Sequence, residues 1–324
     1  MQEPKRNNTE YLDFVESKFS ECFSIKGYFM EQPVEITSKI DSTIDFIGSS
    51  ISPLKKYIIN GNIPEEGIYI LQNSMKSKNL KHMKDNFHQK FGCYYKCMGT
   101  LTQPNIEKCT YDLFDYLINY LKIKREDIRI RINFEDTDLI KAIEKNDFGI
   151  IKEYDPYSHY KHKYGMDDEK IIGRDFNIGI RKKNTNEFIN SAAFVLMESP
   201  KGPIGIDMAF GNCTFSMCKF GYESTIASSR MGDLVDIDSV EKEKFADALI
   251  AVSILLKEDV INHPSKHFKN KFKRYLNILL YWSQKYNYIE EELIDIIINF
   301  LNLEYNYSFD DHEKEWVKIL KKER

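Results

Sequence analysis

Apolar residues recur every three or four positions between residues 9 and 25. Leu12, Val15, Phe19 and Phe23 share one face there, and the spacing predicts a helix. An irregular stretch follows to residue 40. Residues 41–47 (DSTIDFI) read as a capped turn and a short strand, and GSSISPLKKYI as a loop entering a helix. NGNIPEEG is a cluster of turn formers. IYILQNS and FGCYYKCM are β-branched and aromatic, the composition of strands. Helical spacing returns over residues 106–121, with Cys109, Leu113, Tyr116, Leu117 and Tyr120 on one face. IRIRINF alternates strictly and predicts a strand, and residues 138–145 a short helix.

Residues 154–170 are polar and rich in His and Tyr, the pattern of a loop. FNIGIR, FINSAAFVLME and PIGIDMAF then read as three strands of one antiparallel sheet. After Asp238 the pattern changes. Residues 240–257, 266–286, 290–301 and 311–321 all carry helical spacing. The order predicts an α+β domain over residues 1–238, built on an antiparallel sheet flanked by helices, followed by an all-α domain over residues 239–324. No internal repeat or low-complexity segment interrupts it.

Composition narrows the class. The 324 residues are 42% apolar and 13% aromatic, with 20 Tyr and 21 Phe, which is ample material for a core. The 46 Lys+Arg nearly balance 50 Asp+Glu, so the chain is no wholesale polycation, although a local basic patch remains compatible with the net −4. No apolar run is long enough to span a bilayer, and the polar start MQEPKRNNTEYLDF has no signal-peptide core. The six cysteines form no C-x-x-C pair and suggest no zinc set, which predicts reduced thiols and a cytoplasmic location with no membrane contact.

No Walker, Rossmann, zincin or nucleophile-elbow motif is present. His159 and His162 sit in the polar loop without a spaced carboxylate partner, and solvated histidines are the expectation over metal ligands. The run Lys266, His267, Lys269, Lys271, Lys273, Arg274 is denser, with Phe268, Phe272 and Tyr275 at helical spacing. Both a phosphate-binding strip and a solvated helix face fit it.

Several stretches, taken in order, resemble the catalytic core of alanyl-tRNA synthetase, a class II synthetase. DSTIDFIGSSISPLKKYI runs without a gap along that family's D-P-T-L-L-F-x-N-A-G-M-x-Q-F-K-P-x-F. YILQNSMKSKNL resembles x-x-x-x-Q-K-C-I-R-x-x-D-L, and residues 87–92 stand where F-F-E-M-L-G would be. Residues 192–198 follow W-N-L-V-F-M-Q, and IDMAFGNCTFSMCKFG follows V-D-T-G-M-G-L-E-R-L-A-x-V-L-Q-G. Residues 246–286 resemble the helical segment containing P-S-N-E-G-R-G, with a two-residue insertion before Pro264 and Ser265. The likeness covers most of the chain to about residue 300, and its weight lies in the collinearity.

The resemblance implies a six-stranded antiparallel class II sheet and then a helical tRNA-binding domain. It implies ATP with Mg2+ as cofactors, and an amino acid or related small acid activated as an adenylate. A tRNA acceptor stem or a carrier protein would be the acceptor. By position it assigns Lys76 to the α-phosphate as the catalytic cation, in place of an arginine, which keeps the charge but loses the bidentate fork. Phe87, Gln89 and Gly211 fall on nucleotide-binding positions, Gln89 replacing an acid. Asp207 matches the aspartate that holds the substrate's α-ammonium group. Lys266, Lys269, Lys271, Lys273 and Arg274 fall on the tRNA-binding segment.

The departures are equally specific. The arginine expected at the γ-phosphate is Thr214, which carries no charge. The Trp-Asn pair of the amino-acid pocket falls on Ala192 and Ala193. Lys266 replaces the asparagine that reads the acceptor stem. The G-P-C-G-P-C-S-E loop is absent, and GRDFNIGIRKK stands near its place, so Arg174, Arg181 or Lys182 would be the substitute cations. Two functions follow from this: a divergent ligase that still adenylates an acid, or a non-catalytic paralogue that binds tRNA, an amino acid or a partner protein.

Overall fold

Wherever the sequence alternates strongly, the computed structural model contains a strand, and the strands join one sheet. The structure describes residues 7–41, 44–164, 166 and 170–323. The long strands are β2 (Ile68–Met75), β3 (Tyr94–Thr102), β4 (Ile128–Asn133), β7 (Ile172–Arg181), β8 (Phe188–Ser199) and β9 (Gly202–Gly211). They lie in the spatial order β2, β3, β9, β8, β7, β4, and every neighbouring pair in that row is antiparallel. Short strands finish the edges. β1 (Phe29–Met30) pairs parallel with β2, β5 (Ile150–Glu153) parallel with β4, and β6 (Lys161–Lys163) antiparallel with β7.

Strand alternation gives the sheet two different faces. On the back, Phe176, Ile178, Phe194, Met208 and Phe210 pack against α1 (Asn8–Ile25), α3 (Ile106–Asp115), α4 (Thr137–Glu144) and α5 (Asn212–Phe220). α1 starts where Asn7 accepts the backbone N–H of Glu10 at 2.9 Å, and it buries Leu12, Val15, Phe19 and Phe23 as its spacing requires. α3 begins with the same device, Asn105 accepting from Lys108 N at 3.1 Å, and runs into a single π-helical turn over Tyr116–Tyr120. The front face is apolar only at one end. There Ile68, Ile70, Leu101, Val195 and Met197 meet α2 (Ile51–Ile59).

The C-terminal helices are α6 (Val240–Lys257), α7 (Lys266–Tyr286), α8 (Glu290–Tyr305) and α9 (Glu313–Glu323). Their apolar faces share one cluster with residues that precede the change in pattern at Asp238, among them Phe46, Met75, Leu80, Met83 and Tyr94. A buried charge group reinforces this contact. Lys96 of β3 meets Glu16 of α1 at 2.7 Å and Glu304 of α8 at 3.3 Å, and Arg230 meets Glu16 at 3.2 Å and Glu304 at 3.3 Å.

The fold is thus α+β, a mainly antiparallel sheet flanked by helices with a helical C-terminal region. Some expectations shift. Residues 44–46 form bends and Ile47 is irregular, rather than a strand, because Ile47 and Phe46 turn inward between β2 and α7; positions 42 and 43 lie outside the described residues. The strand expected at FGCYYKCM begins only at Tyr94. The polar stretch after Tyr154 is not all loop, since β6 hydrogen-bonds to β7; residues 165 and 167–169 of it are outside the described set.

Candidate active site

The front face leaves a cleft of about 1,070 Å³ between α2, the residue 44–52 segment, β6 and the start of α5. Its floor is made of small residues because large ones would fill it: Ala193, Ala209 and Gly211 from the central strands. Gly99 lies in the same register row as Ala193 and Ala209, and a Cβ there would sit 2.0 Å from Ser50 Oγ. The missing side chain is what lets the N-cap of α2 lie flat on β3.

Asp207 rises from this floor. It is only 6% exposed; its Oδ2 accepts from the Tyr164 hydroxyl at 3.3 Å, and its Oδ1 has no hydrogen-bond partner among the described residues. Burial pushes its carboxyl up to about 7, opposed by the nearby His162 and by the Tyr164 hydrogen bond. His162 reaches over the same strands, with Nε2 at 3.2 Å from Asp175 Oδ2, and that contact raises the imidazole pKa.

Cations gather at the opposite rim. Lys76 holds its ammonium 5.2 Å from the centre of the Tyr95 ring, and desolvation by the cleft walls draws its pKa down, with Lys78 adding to the effect. Lys55 is paired with Asp41 at 2.7 Å. The first turn of α5 opens onto the cleft through Gly211, Cys213 and Thr214, and the Thr214 hydroxyl donates to Gly211 O at 2.6 Å. A helix N-terminus presents unpaired N–H groups and partial positive charge, but the threonine adds no ion.

The sequence-derived residues divide accordingly. Lys76, Asp207, Gly211, Thr214, Ala192 and Ala193 converge on the cleft. Phe87 and Gln89 line no part of it. Phe87 is exposed and lies 4.7 Å from the His82 ring, centre to centre, and Gln89 donates to Asn79 O at 3.1 Å.

Arg174 and Arg181 are not the substitute cations. Arg174 precedes Asp175 on β7, so alternation turns it to the opposite face, where it binds Asp136 at 2.6 Å, Asp138 at 2.8 Å and Glu198 at 2.9 Å. Arg181 stands at the far end of β7, against Asp127 at 2.8 Å and 4.6 Å from the centre of the Phe188 ring. Lys182 is spent on Glu223 at 2.6 Å.

On α7, Phe268, Phe272 and Tyr275 are buried, which leaves Lys266, Lys273 and Arg274 outward and Lys269 half-buried. Lys271 turns the other way. It donates to Ser77 Oγ at 3.1 Å and meets Asp45 at 3.2 Å, beside His267 at 3.1 Å from the same carboxylate. His162, expected as a solvated loop histidine, is exposed but sits on β6 and lines the cleft. Its signal was the H-x-Y spacing, which puts His162 and Tyr164 on one side of an extended segment.

Among the described residues no group of three or more His, Cys, Asp and Glu side chains is placed to hold a metal. A magnesium ion here would have to arrive largely on the phosphates it accompanies, its usual mode. All six cysteines are free and buried. No helix among the described residues is long and apolar enough to cross a membrane.

No family model matches the chain, and no curated protein is similar to it. Solved structures are. S. aureus histidyl-tRNA synthetase in its apo form has a TM-score of 0.44 and 9% identity, over 74% of this chain and 73% of that one. Entamoeba histolytica aspartyl-tRNA synthetase has 0.41 and 8%, over 69% of this chain and 57% of its own. Entamoeba histolytica asparaginyl-tRNA synthetase, in complex with asparaginyl-adenylate, has 0.36 and 11%, over 69% and 66%. Likenesses at these identities concern the path of the chain, not the chemistry of its cleft.

Proposed function

We propose that the cleft binds an amino acid by its α-ammonium group on Asp207 and joins its carboxylate to ATP, in the manner of a synthetase-like ligase. The observation that carries this reading is the buried Asp207 oxygen without a partner among the described residues, on the floor of a cleft whose other rim holds Lys76. A carboxylate oxygen buried without a donor is costly, and an ammonium ligand supplies one.

With the amino group fixed there, a substrate carboxylate oxygen attacks the α-phosphorus. A new acyl–phosphate bond forms and pyrophosphate leaves. Lys76 and the first-turn N–H groups of α5 face the charge that develops. The outward Lys266, Lys273 and Arg274 of α7 are the phosphate contacts for an RNA acceptor, positioning it without reading its bases.

Pyrophosphate exchange into ATP, measured with each amino acid in turn, tests this. Exchange with at least one acid is expected, falling by roughly a hundredfold or more in Asp207→Asn and in Lys76→Ala, since each removes a charge-assisted contact. No exchange with any acid, with or without added RNA, sinks the ligase reading.

One observation favours a second reading, a paralogue that binds without catalysing. No arginine lines the cleft among the described residues, and Thr214 stands where the γ-phosphate cation would be. Calorimetric titration with ATP and Mg2+ separates the two. Micromolar binding argues for a working nucleotide site, and absence of binding for the paralogue.

A further inference from the structure

Lys76, the proposed phosphate cation, stands where β2 gives way to the segment that returns to β3. Its backbone N–H donates to Cys93 O at 2.7 Å, so both ends of that segment meet beside it. Asp247 of α6 holds both ends at once. Its Oδ1 accepts the Cys93 backbone N–H at 2.8 Å, and its Oδ2 accepts Asn79 Nδ2. Asn79 is braced by α7 as well, its Oδ1 accepting the Tyr275 hydroxyl at 3.2 Å. The approach of α6 is close. A Cβ on Gly92 would sit 3.0 Å from Asp247 Oδ1 and 2.8 Å from Ile226 Cγ1.

Asp247 is only 1% exposed, and burying a carboxylate is costly unless its oxygens find donors. Both oxygens are spent here on one segment, near its two ends. Asp247 lines no part of the cleft, so it reaches the chemistry only through what it holds. What it holds is the root of Lys76, whose ammonium lies over the Tyr95 ring and whose pKa desolvation lowers. A satisfied buried network rigidifies its surroundings and specifies one arrangement of them.

Building on the proposal that Lys76 faces the α-phosphate, we infer that Asp247 is a positioning residue for it, so that α6, after the change of pattern at Asp238, sets where the cation of the cleft stands. A lysine side chain is long and flexible, and its aim depends on where its backbone is fixed. The position matters to the rate, since a misplacement of about 1 Å costs about a hundredfold.

NMR of the full chain with isotope-labelled methyl groups on its lysines tests this without any ligand. The Lys76 signal is the one missing in Lys76→Arg. In the wild type it is expected to titrate below the other lysines, and in Asp247→Ala to rise towards them, because a released side chain regains water. The sign is diagnostic. Removing an acid without moving Lys76 would lower the lysine pKa, not raise it. Asp247→Asn can still accept from Cys93, and can pair with Asn79 by a turn of that amide, so it should keep the wild-type value. No rise in Asp247→Ala overturns the inference, and if that variant misfolds, Asn79→Ala decides by the same criterion. Pyrophosphate exchange adds a kinetic arm. Asp247→Ala should lower kcat about tenfold or more with the amino-acid KM unchanged, and should cost nothing further in a chain that already carries Lys76→Ala. Additive losses overturn the positioning role. If the wild type exchanges with no acid, the ligase reading fails, and the Lys76 titration still decides the placement.

Discussion

Asp207 sets the pH response of the cleft. Its carboxyl is raised to about 7 by burial, so the folded chain holds a proton there that the unfolded chain has already lost. Between the ordinary aspartate range and that value, stability contributed by this group falls as pH rises, because the native state binds more protons. Ligand binding runs the other way. An ammonium group needs the ionised carboxylate, and amino acids keep theirs throughout this window. Affinity should climb by up to tenfold per pH unit below about 7 and level off above it, a profile readable by titration calorimetry and flattened in Asp207→Asn. A pH-independent affinity in the wild type would remove Asp207 from the binding step. The residue scale is also where the sequence was least legible. Lys76, Asp207 and Gly211 could be placed by motif position alone, whereas Arg174 sits one residue before Asp175 on an alternating strand and faces away. His162 and Asp175 became visible as a pair only once β6 was seen to pair with β7.

Elements were more legible, for a physical reason. Periodicity reports which face of a segment is buried, and helices such as α1 and α7 bury one face each. The losses are short edge pieces such as β1 and β5, which have too few residues to show a period and exist because a longer neighbour supplies their hydrogen bonds. Close packing of elements is equally silent in a sequence. Gly99 is an instance: a methyl there would strike the Cβ of Ser50 at 2.3 Å as well as its hydroxyl. Gly99→Ala should cost about 1–3 kcal/mol, the range for forcing a methyl into a filled site. Ser50→Gly in the same chain should recover most of it, and Ser50→Ala little, since the Cβ remains. Urea midpoints of the three variants check this. Equal stability of Gly99→Ala and wild type would show that α2 is free to lift from β3.

At the scale of the molecule, the boundary that the sequence suggests at residue 238 is a change of pattern rather than a gap in packing. One apolar cluster and one charge group cross it. Glu304 is the only acid of that charge group that comes from after the boundary, and it answers both Lys96 and Arg230, which hold its carboxyl below the usual range despite burial. Removing Glu304 leaves two buried cations, Lys96 and Arg230, on the single buried acid Glu16, so Glu304→Ala should lose about 3–5 kcal/mol, measured as a shift of the denaturation midpoint. A loss below about 1 kcal/mol would mean that water reaches Lys96 and Arg230 once the glutamate is gone. The charge group also bears on how the chain is made. Synthesis runs from the N-terminus, so Lys96 and Arg230 leave the ribosome long before residue 304 exists. Until it emerges, Lys96 and Arg230 share Glu16 alone, and the charge group is complete only once α8 has been made.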